Sequence, residues 1–266
     1  MKNKFKLLGL LQIAIIIFVV TTCDIDEEDD PVYGWYGSGS ATNYTISTVA
    51  QLKGLADIVR GTWVEDIFLK NDFSGKTITL TADINVVDQG WKSIGHSYLP
   101  LYPFNGTFDG NNKTISGVTI LFLDQGFFGL IGEYGIVKNL IFTNFTLDGT
   151  DGTGGLARTS DGIIQNVSIT GNLNGSSLGG IVCFNRGTVQ DCNFSGIITG
   201  WGVTGGIASS NSGMIRNCNT SGEFIDSGML AKGSIVGSNY GTVQNCFSTA
   251  SGVDDIVGYN DGTIIP

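Results

Sequence analysis

The sequence predicts an all-β fold, a right-handed parallel β-helix (solenoid) with a short N-terminal capping helix, and three observations carry that expectation. A phrase recurs: GTVQDC at residues 187–192 returns as GTVQNC at 241–246. The same glycine opens Gly135-IVKNL, Gly162-IIQNV, Gly213-MIRNC and Gly262-TII, so successive steps are 27, 25, 26, 28 and 21 residues. Within each repeat, apolar residues alternate with polar ones over three to five positions between Gly and Asn, which is strand spacing, and no repeat holds a ten-residue stretch of helical spacing. Composition agrees. Forty glycines among 266 residues are twice the ~7% share of average proteins, and 14% charged residues fall well below the ~25% norm. Many short strands and tight turns, stacked one coil per repeat, satisfy all three observations.

Upstream of the recurring phrase each repeat carries a second glycine element: GGL at 154–156, GGI at 179–181, GGI at 205–207, then SIVG at 234–237 and DIVG at 255–258. In a stacked solenoid each coil must present the same shape to its neighbour, which explains the cysteines. Cys192, Cys218 and Cys246 share one register position, filled by Leu140 and Val167 in earlier repeats. A position shared by Leu, Val and Cys is inward and apolar, and a thiol there acts as a small hydrophobe. Disulfides are the competing reading, since stacked coils bring Cα atoms within bonding distance in an exported chain; the column's acceptance of Leu and Val favours thiols. Cys183 falls in the GGI strand. No Cys-x-x-Cys pair or neighbouring histidine offers a ligand set, so neither a metal nor another cofactor is expected.

Two polar files accompany that column. Asn139, Asn166, Asp191, Asn217 and Asn245 precede its members, and Asn185, Asn211, Asn239 and Asn260 stand two places ahead of the repeat glycine. Stacked amides can hydrogen-bond in a ladder, and Asn tolerates left-handed turn geometry, so both files read as structural.

At the N-terminus, Lys2, Lys4 and Lys6 precede an apolar run over residues 7–20, too short for a span that needs about 20 apolar residues and laid out as a secretory signal. Thr21 and Thr22 then lead to Cys23, and this stretch resembles the lipobox of bacterial lipoproteins, although that pattern usually has Gly, Ala or Ser where Thr22 stands. The resemblance implies diacylglycerol on Cys23 and a chain lipid-anchored to the bacterial cell envelope, at the outer membrane or cell surface. The competing readings are an ordinary cleaved signal and an uncleaved anchor. DIDEEDDP at 24–31 is a like-charge block that suits a solvated tether. Without the leader, 11 basic residues face 24 acidic ones, a net of −13, and no basic cluster suggests a nucleic-acid partner.

The expected organisation is therefore a signal peptide over 1–22, an acidic tether over 23–43, a cap with first coils over 44–125, and repeats over 126–266. Within the cap, Thr48 and Gln51 fit a capping box ahead of Leu52, Leu55, Ala56 and Val59 on one helical face. Such a helix would cover the first coil's edge.

GFFGLIGEYGIVKNL at 126–140 contains Gly129-Leu130-Ile131-Gly132, which is similar to the Gly-Leu-any-Gly signature of the GLUG-motif repeat family. YTISTVAQLKGLADIV, FSGKTITLTADINV, WKSIG and PFNGTFDGNNKTISGVTI resemble the region that precedes such repeats. The resemblance covers roughly 44–265 and implies a bacterial surface protein with a right-handed β-helix, often tethered and sometimes part of adhesins or peptidases. It carries over no catalytic residue. Later repeats keep only part of the signature.

Chemistry is sparse. Glycoside cleavage needs two carboxylates at a set separation, and Asp254-Asp255 is the sole acidic pair inside the repeats. Asp148, Asp151 and Asp161 are scattered around turns, Arg158, Arg186 and Arg216 read as solvated, and His96, the single histidine, sits in an irregular loop. Recognition fits better, because solenoids keep their strands and vary the segments between them. Two such segments place aromatics, Trp201 in ITGWGVTGG and Phe224 in GEFIDSGMLAKG, as candidate contacts to an extracellular glycan or a host matrix protein; Trp91 reads as packing. The expectation is a non-enzymatic adhesion or recognition protein, with a polysaccharide-active enzyme and a structural spacer as the alternatives.

Overall fold

The computed structural model describes residues 32–64, 66–87, 90–98, 101–122, 126–149, 152–226, 228 and 230–266. Residues 1–31, with the expected signal peptide, Cys23 and most of the acidic stretch, lie outside that set, as does Asp151. The architecture is a parallel β-solenoid, as the repeat predicts. Three sheets run along its length: one of fourteen strands, one of six and one of four, all paired in parallel from coil to coil. In the repeats one coil begins with a short strand of the long sheet, such as Thr188–Gln190, and turns at Asp191 into a second strand of that sheet, Asn193–Gly200. It then passes through the four-stranded sheet (Val203–Gly205) and returns along the six-stranded sheet (Ala208–Asn211).

Apart from shifts between the earlier coils at Asp109/Lys113 and Ile169/Gly171, register is kept from coil to coil, and it converts the sequence columns into spatial files. Val137, Ile164, Val189, Ile215, Val243 and Ile264 stack in the long sheet. All but Ile264, on the last coil, are buried. Leu147, Leu173, Ile198 and Phe224 form another inward file. Toward the N-terminal end the core becomes aromatic, with Phe108, Phe127, Phe128, Phe142 and Phe145 in mutual edge contacts and Phe104 tilted against Phe128. Aromatic rings fill volume there that Val and Ile fill later, and edge-to-face geometry suits their quadrupoles.

Each turn in the long sheet rests on one left-handed residue. Asn139, Asn166, Asp191, Asn217 and Asn245 have φ between 51° and 55°, a region that Asn and Asp enter at least cost among non-glycine residues. Their side chains form two donor runs. Asn166 Nδ2 donates to Asn139 Oδ1 (2.9 Å), and Asn139 donates to Asp109 (3.0 Å). Asn245 donates to Asn217 (3.4 Å), which donates to Asp191 (3.1 Å). Each run ends on a carboxylate, which can only accept.

The second file is buried. Asn185, Asn211 and Asn239 are at most 1% exposed. Asn185 Nδ2 donates to Asn211 Oδ1 (2.7 Å), Asn211 to Asn239 (2.8 Å) and Asn239 to Asn260 (2.8 Å). Each amide also reaches backbone across the Asn-x-Gly turn. The glycine pairs make the tightest corner. A Cβ on Gly179 would lie 1.8 Å from the Val182 carbonyl oxygen, and one on Gly180 would lie 2.0 Å from the Gly206 oxygen of the next coil. Only hydrogen fits between the four- and six-stranded sheets at these points.

At the N-terminal end the helix α1 (Val49–Arg60) closes the first coil. Thr48 and Gln51 make the reciprocal capping box, and Leu52, Leu55, Ala56, Ile58 and Val59 are buried beneath it. The expected tether boundary at residue 43 is too late. A 3-10 turn at Gly34–Tyr36 already belongs to the fold: Tyr36 is buried, Tyr33 Oη bonds Asp57, and Trp35 and Tyr36 pack with Tyr44 and Phe73. Aromatic residues 33, 35 and 36 gain burial on α1 that a charged tether could not. Trp91 is packing as expected, its ring 4.3 Å from that of Phe127 and its indole N–H donating to the Phe127 carbonyl.

The two Asn files differ in what they hold. Replacing Asn211 by Ala should cost about 1–3 kcal/mol, because it leaves buried amide partners unpaired. Asn217→Gly should cost far less, since glycine keeps the left-handed turn and the lost bond is exposed. Urea unfolding of the two variants, followed by circular dichroism, checks the difference.

Candidate ligand-recognition site

Trp201 stands where the sequence expects it, at the corner between the long and four-stranded sheets. Its backbone N–H donates to the Gly175 carbonyl of the preceding coil (3.3 Å), and the residue is 42% exposed. Phe224 does not join it. Residues 222–226 continue the strand Asn219–Asp226, so Phe224 pairs with Ile198, turns inward and is 4% exposed. The period-2 pattern of E-F-I-D puts Ile225 outward instead. Ile225 is 42% exposed, and Leu230, whose N–H donates to the Gly202 carbonyl beside Trp201, is 84% exposed. The corner is therefore an apolar ridge made by Trp201, Ile225 and Leu230 on adjoining coils.

Below that corner the strands bend. Asn144, Phe145, Thr146, Thr170, Gly171, Asn172 and Gly196 line a groove of about 390 Å³. Gly196 and Gly222 have φ of +147° and +109°, and a Cβ on either would strike the carbonyl of the coil before it. Hydroxyls line up along the bend, with Ser221 and Ser195 Oγ atoms 3.0 Å apart.

Three of the acidic residues are engaged between coils. Asp161 takes Arg186 (2.6 Å), Asp148 accepts from Asn174 (2.9 Å), and Asp109 takes Lys138 (3.3 Å) and Asn139. Burial alone would raise Asp109, but donation from the Asn111 N–H, Asn139 and Lys138 outweighs it and holds the carboxyl below its ordinary range. Asp72 is likewise pushed up by burial and drawn further down by Asn105 and Ser74. Asp254 and Asp255 lie exposed in a connecting segment, not in a strand. Among the described residues no group of three His, Cys, Asp or Glu side chains is placed to hold a metal.

The arginines divide. Arg186 pairs with Asp161, and Arg216 donates to Gln190 on the preceding coil (2.9 Å). Arg158 lies between two rings, 4.5 Å from the centroid of Tyr98 and 5.2 Å from that of Phe184. His96 and Tyr98 belong to a loop closed by reciprocal backbone bonds between His96 and Tyr102. Sequence reasoning also missed an exposed hairpin, Thr62–Val64 with Ile67–Leu69, bearing Trp63, Ile67 and Phe68 at 70%, 64% and 50% exposure. The alternation of TWVEDIFL around an acidic turn is the signal that could have found it.

Cys192, Cys218 and Cys246 are free thiols in one inward file, with the first two fully buried. Each Sγ donates to the carbonyl two residues back, at 3.1–3.2 Å. Contact with the Cys192 sulfur raises the Cys218 thiol; contact with Cys246 lowers it, and burial adds to the rise. For Cys246 the Cys218 sulfur leads and burial follows. Both thiols are held well above the ordinary range.

No family model matches the chain. Over 114 residues it is 36% identical to halomucin of Haloquadratum walsbyi, covering 39% of this chain and 1% of that protein. Over 163 residues it is 33% identical to an Evansella cellulosilytica protein provisionally named a Gly-rich membrane protein, covering 58% of this chain and 18% of that one. The chain thus spans less than a fifth of the length of either relative. Among solved structures it is similar to a Bacteroides ovatus protein provisionally named an immunoglobulin A1 protease, with a TM-score of 0.61, 20% identity, 84% of this chain covered and 73% of that one. At that identity the likeness shows the β-solenoid fold.

Native-state labelling tests the thiol file. Cys192 and Cys218 should resist iodoacetamide in buffer and react in 8 M urea, while half-buried Cys246 reacts slowly. A folded thiol that keeps its proton above about pH 8.5, where an unfolded one ionises, contributes stability below that pH and loses it as pH rises past it. Labelling should therefore stay slow at pH 9 until the fold itself loosens.

Proposed function

We propose that this chain is a lipid-anchored bacterial surface protein of the GLUG-repeat type, whose solenoid recognises an extracellular glycan or protein without cleaving it. The observation that carries this reading is the split between faces and corners. Coil-to-coil files occupy much of the strand faces, and Asp109, Asp148 and Asp161 are paired or hydrogen-bonded to the neighbouring coil. The corner at Trp201 and Leu230, with Ile225 outward on the strand that leads to it, offers exposed apolar side chains on adjoining coils. Exposed aromatic and aliphatic groups on a rigid frame favour contact with a partner surface or a sugar face. Two relatives named a halomucin and a membrane protein support a surface or membrane address. Attachment through Cys23 would then place the cap at the membrane-facing end, since the nine residues from Cys23 to Val32 extend at most about 32 Å.

Two experiments test this. Cys23→Ser should abolish labelling by radioactive palmitate that the unaltered protein takes up; a protein that takes up no label with Cys23 in place, or keeps it without Cys23, contradicts the anchor. The soluble domain from Asp24 onward should be retained by a member of a panel of polysaccharides and matrix proteins, with no new reducing or unsaturated ends. Trp201→Ala should weaken that retention by roughly fivefold or more. Cleavage of a glycan contradicts the non-enzymatic reading, and failure to be retained by any member contradicts recognition.

A further inference from the structure

Arg158 is the arginine of the repeats whose charge the described structure leaves without a carboxylate or side-chain amide. Its Nη1 donates to Ser97 Oγ (3.2 Å), and its Nε is buried with no hydrogen-bond acceptor. Tyr98 and Phe184 flank the guanidinium at 4.5 and 5.2 Å. Stacking of this kind immobilises the planar group while leaving its in-plane N–H edge as the part able to bond. A cation fixed away from bulk water and unmatched by an anion is costly unless a partner arrives to match it.

The surroundings keep room for that partner. Gly152 has φ +58°, and a Cβ there would lie 3.4 Å from Arg158 Nη2 and 3.3 Å from the Phe184 ring. A Cβ there would already touch both groups, so the glycine keeps longer side chains away from the outer edge of the guanidinium. On the other side, Tyr98 is 43% exposed and meets the His96 ring edge-on at 5.5 Å. His96 Nδ1 lies 3.1 Å from the Tyr98 carbonyl, which fixes the imidazole against the ring. A guanidinium edge beside an exposed tyrosine face and an imidazole is a set of groups suited to a sugar that bears a carboxylate. The carboxylate takes the fork, and the C–H face of the ring lies on the tyrosine.

We propose that Arg158, with Tyr98 and His96, forms a subsite for the carboxylate of a uronic-acid sugar in an extracellular polysaccharide. This deepens the recognition reading and rests on it. The net charge of −13 that remains without the leader sets the character of such binding. A polyanion is repelled by the molecule as a whole, so affinity must come from the short-range fork. Added salt, which screens the repulsion, should leave affinity unchanged or raise it; a diffuse basic patch would show the opposite trend.

The test is titration calorimetry of the soluble domain with three probes: tri-galacturonate, its fully methyl-esterified form, and a sulfated disaccharide. The subsite predicts binding of the acid, at least tenfold weaker binding of the neutral ester, and no preference for sulfate. Arg158→Lys should cost about tenfold in affinity, because a lysine cannot supply the bidentate fork, while the melting temperature stays within a few degrees. Tyr98→Ala gives a second reading that spares the charge and should also weaken binding. Trp201→Ala should leave uronate affinity intact. Equal binding of acid and ester, preference for sulfate, or an unaffected Arg158→Lys protein overturns the proposal and makes Arg158 a clamp for the 96–102 loop. No binding of tri-galacturonate also overturns it, whereas retention of a neutral glycan through Trp201 would leave the broader recognition reading standing.

Discussion

Every feature of this solenoid depends on one constraint: each coil must offer its neighbour the same backbone positions at one strand spacing, about 4.8 Å. The left-handed residue before the cysteine column is where that constraint bites. With φ near +50° at positions 139, 166, 191, 217 and 245, the chain turns within the long sheet at the same place each time. The residue after each turn then points inward, so Leu140, Val167, Cys192, Cys218 and Cys246 fill one column. The glycine pairs impose the same discipline on the opposite corner, where a methyl group would collide with backbone of the same or the next coil.

The constraint also divides the surface into unlike regions. Stacking places like residues on like, so polar groups on the strands find partners one coil away: Asn on Asn, Asp on Asn, Arg on Asp. Such groups are engaged before any ligand arrives. Corners escape, because their length can change without shifting register, as the step of 28 residues between Gly213 and Gly241 shows. Trp201 and Leu230 project there. The loop around Tyr98, inserted before the repeats begin, reaches across the coil of Phe128–Ile131 onto Arg158 in the coil beyond it. Exposed apolar groups and the stacked Arg158 are thereby found where the repeat is least regular.

This division explains what could be read in the sequence and what could not. Strand columns, the capping box of α1 and both Asn files were legible because each rests on local spacing. The burial of Phe224 was not: GEFIDSGMLAKG reads as a turn-rich insertion, yet its first residues stay in register with Ile198 and Leu173. Val32 to Tyr36 look like the end of an acidic tether, and only the tertiary packing of Trp35 and Tyr36 on the cap draws them into the fold. The Arg158 cluster joins residues 61 positions apart through Ser97, a contact that no local pattern could announce. Opposed donor directions in the two Asn files are likewise a property of the stacked state alone.

Removing one whole coil tests the stacking account most directly. Deleting residues 187–212 joins Arg186 to Gly213 and removes one 26-residue repeat without changing the register of any remaining file. The account predicts a folded, β-rich protein that unfolds cooperatively, with a denaturant slope reduced in proportion to the lost surface, while deletion of 187–199, half a coil, leaves the chain unfolded. A whole-coil deletion that fails to fold, or a half-coil deletion that folds equally well, would contradict it.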